Sequence, residues 1–166
     1  IINKINAYLQ AGGSLTVNPS NGASLDNQAG ASVLANALGL TLTSLTNAGV
    51  LQGGSGNSTI TVANTLNNSG TLTLANLVAG TGNISADTLN NTGTLQSKGS
   101  GNLNIGTAFS NSGTTVVAGN LTVRGNDSAY SVNNSGRLES LSTLDIKGQN
   151  AGQGVTVTVG NAGVLK

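Results

Sequence analysis

The heptad "LNNSGTL" at residues 66–72 returns as "LNNTGTL" at 89–95 and, loosened, as "VNNSGRL" at 132–138. Aligning the chain on the Gly of Asn-x-Gly adds "LTNAGVL" at 45–51, "FSNSGTT" at 109–115 and "VGNAGVL" at 159–165, which makes six copies of one template. A degenerate seventh, "LDNQAGASV" at 25–33, carries one extra residue in its turn. Successive template Asn residues (47, 68, 91, 111, 134, 161) are separated by 21, 23, 20, 23 and 27 positions. A phrase that recurs at this spacing marks one small structural unit stacked on copies of itself, each copy burying the apolar face of its neighbour.

Inside each unit the apolar period is two, not the 3.6 of a helix. A second alternating run precedes each heptad: "LTLT" at 40, "ITVA" at 60, "LNI" at 103, "LTV" at 121 and "LDI" at 144. No stretch carries a helical stripe with caps. Three short strands per coil follow: one ending just before the turn (Leu66, Leu89, Phe109, Val132), one just after it (Leu72, Leu95, Leu138), and the alternating run. Equivalent strands of successive coils would lie parallel, about 4.8 Å apart. The expected fold is therefore all-β: a parallel β-helix, or β-solenoid, of about seven coils, with residues 1–166 as a single segment and no internal domain boundary.

Each heptad reads as a corner of this coil. Leu66 and Leu72 point inward, Asn67, Ser69 and Thr71 point outward, and Gly70 is expected to supply a backbone angle that a Cβ would resist. Asn68 has inward parity. Its amide can bond the turn backbone and the equivalent Asn of the next coil, which predicts an internal ladder. The ladder and its glycines are Asn47 and Gly49, Asn68 and Gly70, Asn91 and Gly93, Asn111 and Gly113, Asn134 and Gly136, and Asn161 and Gly163. Segments of variable length (52–58, 125–131 and 148–154) are expected as loops outside the coil, Pro19 at a corner, and the first 24 residues as an irregular first coil.

Composition narrows the function. Charged residues are 7% of the chain, net charge is +1, and nothing between Gln28 and Ala86 is charged, so the electrostatic footprint of a nucleic-acid binder is missing. Apolar residues at 37%, evenly spread, separate it from a disordered Gly/Ser/Asn linker. There is no run of 18 apolar residues and no cysteine. With neither a start Met nor a leader before Ile1, the segment is expected to be excised from a longer protein.

"LNNSGTLTL", followed some ten residues on by "GNI" or "GNL", resembles the haemagglutinin-type repeats of two-partner secretion exoproteins: filamentous haemagglutinin adhesins and the stalks of contact-dependent growth inhibition proteins of Gram-negative bacteria. The likeness covers roughly residues 40–166. "VNPSNG" at 17–22 faintly resembles an Asn-Pro-Asn-Gly element of their amino-terminal secretion domain, interrupted here by Ser20. The resemblance implies a right-handed parallel β-helix and export through a dedicated outer-membrane transporter. It implies display at the cell surface as a monomeric filament, with a host or bacterial receptor or glycan as further partner. Nothing in the chain resembles a carboxy-terminal toxin.

Catalysis has little to draw on. Without His or Cys there is no Ser-His-Asp or Cys-His set and no soft-metal site, so no enzyme activity, cofactor or metal is expected. Charges gather late, at Arg124, Asp127, Arg137, Glu139, Asp145 and Lys147. Aligning "LTVRG" on "LDIKG" sets Arg124 diagonal to Asp145 on the outer face, which reads as a solvated surface network. Asp127 and Tyr130, in the longest insertion, are the candidate surface-binding residues. Tyr130 also shares the parity of Val132, and that parity favours the core. Thr-x-Thr pairs at 41/43, 59/61, 71/73 and 156/158 fall in different columns, which argues against an ice-binding face, and the several Asn-x-Ser/Thr triplets are what this composition yields by chance. Three readings result: a structural shaft, a glycan- or receptor-binding module, and a β-helix polysaccharide enzyme as the weakest.

Overall fold

In the computed structural model, which describes residues 1–19, 22–125, 129–148, 150, 154–160 and 163–166, the chain is all-β. Every strand pairing is parallel, and each strand is bonded to those one coil before and one coil after it. The result is a β-solenoid of about seven coils.

The coils have three faces. A pre-turn sheet stacks Ser24–Asn27, Ser44–Asn47, 65–68, 88–91, 108–111, Tyr130–Asn134 and Val155–Val159. A post-turn sheet stacks 32–35, Val50–Gly53, Thr71–Thr73, Thr94–Ser97, Thr114–Val117, Arg137–Ser140 and Val164–Leu165. The third stacks 14–17, 37–42, 58–62, 82–86, 101–105, Leu121–Gly125 and Leu144–Lys147.

Three separate strands per coil is too many for the middle of the molecule. Ser58–Asn68, Thr81–Asn91 and Ser100–Asn111 each run unbroken from the third sheet into the pre-turn sheet. A register shift between Val62 and Thr65, and again between Ile105 and Ala108, bends the strand without ending it. Period-two text cannot distinguish a bulge from a strand end.

The core is a set of inward files one residue wide. Leu45, Leu66, Leu89, Phe109 and Val132 form one; Leu51, Leu72, Leu95, Thr115 and Leu138 form a second; Leu40, Ile60, Ile84, Leu103 and Val123 a third, and all are buried. Where a file thins, a neighbour fills it. Gly82 leaves a gap that Leu74 occupies, with its Cδ1 2.8 Å from where a Cβ would stand. That inward Leu74 belongs to an excursion, 74–80, with Leu77 and Val78 exposed at its tip. Alternation in the text does not predict it.

The expected loops are shorter than their sequence ranges. Gln52 and Gly53 end a strand and Ser58 begins one, so only 54–57 leaves the sheet there. Gly125, Tyr130 and Ser131 are likewise strand residues, and 126–128 lie outside the described residues. In 148–154, Gln149 and 151–153 are outside them too. Pro19 sits between strands, and Tyr8–Val17 pairs with Ser32–Leu42 as part of the first coil.

Candidate functional site: the asparagine corner

Inward parity plus a turn places one Asn amide per coil against the next. Asn47 Nδ2 donates to Asn68 Oδ1 at 2.7 Å, Asn68 to Asn91 at 2.7 Å, Asn91 to Asn111 at 2.8 Å, and Asn111 to Asn134 at 2.7 Å. The second N–H of each reaches a backbone carbonyl of the same neighbouring coil: Thr71 from Asn47, Thr94 from Asn68, Thr114 from Asn91, Arg137 from Asn111 and Val164 from Asn134. All five side chains are buried, and no buried side-chain nitrogen or oxygen among the described residues lacks a partner.

The ladder is longer than the template. Asn27 donates to Asn47 at 2.7 Å and Asn3 to Asn27 at 2.8 Å, so the amides of the first two coils join it. Asn27 was visible as the degenerate copy. Asn3 has no following Gly, and only its distance of 24 positions from Asn27 could have pointed to it. Asn161 lies outside the described residues. Thr115, which replaces the template Leu, is buried with its hydroxyl bonded to Asn111 Oδ1 at 3.0 Å, so the departure is absorbed by the ladder.

Gly70 does not act through its backbone angle. Among the described residues, positive φ occurs only at Asn6, Gly22 and Gly30. The corner glycines are required because the coils touch there. A Cβ on Gly70 would stand 2.6 Å from the carbonyl carbon of Ala48, and one on Gly93 2.5 Å from that of Ser69. Gly113 and Gly136 meet the preceding coil in the same way, as does Gly49 against Gln28 and Ala31. Backbone bonds draw the coils this close: Ser69 N and Gly70 N both donate to Asn47 O, at 2.8 and 3.0 Å. Gly163 also meets the preceding coil, at Asn134 O, and its N–H donates to Gly160 O at 2.8 Å.

Asn68→Ala should therefore cost roughly 1–3 kcal/mol, because it strands Asn47 and Thr94 partners inside the coil. Asn67→Ala, whose exposed side chain only accepts from Asn90 at 2.9 Å, should change stability by less than about 0.5 kcal/mol. Urea midpoints of the two variants check this, and equal shifts would contradict it.

Tyr130 is not a surface contact. It is 3% exposed, and the one hydrogen of its hydroxyl is shared between Val123 O at 2.9 Å and Lys147 O at 3.2 Å, so the ring crosses the coil interior and ties two third-sheet strands. Burial, with the Asp145 carboxylate adding, pushes its pKa up to about 12 from 10.0. The neutral phenol is thus the form that the fold favours. Its contribution is complete below pH 10 and is lost as pH rises through about 12. In a Tyr8→Phe variant, phenolate absorbance should titrate near 12 in the native protein and fall to the ordinary tyrosine value on denaturation. A native midpoint at the ordinary value would place the ring in water. Asp127 lies outside the described residues.

The late charges pair differently from the expected diagonal. Arg124 faces Lys147 across the strands and donates through Nε to Asn104 Oδ1 at 2.5 Å, while Asp145 is held by Lys147 within its own strand. Alignment fixed the register correctly, but side-chain reach chose nearer partners. Arg137 pairs with Glu139, whose carboxylate is buried. Among the described residues no group of three Asp, Glu, His or Cys side chains converges as a metal site would require. Thr41, Thr59 and Thr61 lie in the third sheet, with Thr41 facing Thr61 but Thr59 facing Gly39, while Thr43 falls just past its strand; 71/73 and 156/158 lie in the other two sheets.

Comparison with models of known protein families, with curated proteins and with solved structures finds no match.

Proposed function

We propose that the chain is a shaft segment of a large secreted, cell-surface filamentous protein of a Gram-negative bacterium, an adhesin or a toxin-delivery protein exported by a two-partner transporter. The observation that carries the proposal is the translational equivalence of the coils. The same amide ladder recurs from Asn27 to Asn134 and the same close glycine contact from Gly49 to Gly136, and among the described residues no coil is set apart by a converging group of Asp, Glu, His or Cys side chains. Such a structure supplies length. Each coil adds about 4.8 Å, so seven give on the order of 34 Å of reach.

Two further features suit export followed by folding outside the cell. Among the described residues strands pair only between adjacent coils, so folding can start in one and propagate along the chain as it emerges. The absence of cysteine removes thiol cross-linking from an unfolded transit. No enzyme activity is proposed.

The test is a deletion of 66–88 in the full-length parent, which leaves Thr65 in the register position of Thr88. Export and surface display should persist, with adhesion or target-cell killing retained. Loss of that activity with normal display would make this stretch a specific binding element and overturn the shaft reading.

A further inference from the structure

We draw no further inference here: the strongest candidate, the apolar surface patch at the tip of the excursion 74–80, where Leu77 and Val78 are exposed, carries nothing because nothing in the structure shows what covers it.

Discussion

Leu89→Asp should abolish the native fold of most of the chain. Leu89 is fully buried between Leu66 and Phe109 in a core file one residue wide. Losing its burial costs about 1.5–3 kcal/mol. A carboxylate there has no cation within the coil, and it either stays charged at a cost of several kcal/mol or takes up a proton at a comparable one. The sum approaches the whole stability of a typical domain, about 5–15 kcal/mol. Because each coil is held by its two neighbours, the break falls in the middle of the stack and spreads both ways. Thr61→Asp, exposed on the outer face, should keep its sheet signal. The β-sheet circular dichroism of the two variants distinguishes inside from outside, and equal loss in both would refute the assignment.

Gly93→Ala should be as damaging as any single-methyl change at the corners. The added carbon would stand 2.5 Å from the Ser69 carbonyl carbon, and that atom cannot withdraw. Thr92 N and Gly93 N both hold Asn68 O, at 2.9 and 3.0 Å, so separating the coils to make room breaks bonds on either side of the clash. Overpacking of a closed site costs roughly 1–3 kcal/mol, and a rigid backbone neighbour places this case at about 3 kcal/mol. Gly12→Ala, where nothing lies within 4 Å, should be neutral or slightly stabilising. Thermal midpoints of the pair provide the comparison, and similar midpoints would mean the corners are not in contact.

These two residues also mark what can be read from the text alone. Leu89 was legible because alternation is a property of the strand itself, and the ladder of Asn68 was legible because identical residues at a coil's spacing must meet. Gly93 was legible as indispensable but for the wrong reason. A glycine between Asn and Leu looks like a turn residue with an unusual angle, whereas its need comes from a backbone one coil away. The same non-locality hid the excursion 74–80. Only the missing side chain of Gly82, in the following strand, explains why Leu74 turns inward. Tyr130 was placed inward by parity, but its carbonyl partners, Val123 and Lys147, sit on two strands of another sheet. Arg124 shows the remaining limit: register follows from alignment, while the choice between Asp145 and Asn104 depends on side-chain reach.

The claim beneath all of this is that the coils are interchangeable by translation. The direct measurement is hydrogen exchange and urea unfolding of the isolated chain with 66–88 removed, beside a chain with only 66–77 removed. The first deletion sets Leu45 against Leu89 and Asn47 against Asn91, partners that Leu66 and Asn68 already link in register. It should unfold cooperatively, with strongly protected amides across the new junction at Thr65 and Leu89. The second deletion shifts all three sheets out of register and should leave the coils around it unprotected. Equal protection in both chains, or loss of protection across the junction of the first, would contradict the solenoid's translational repeat.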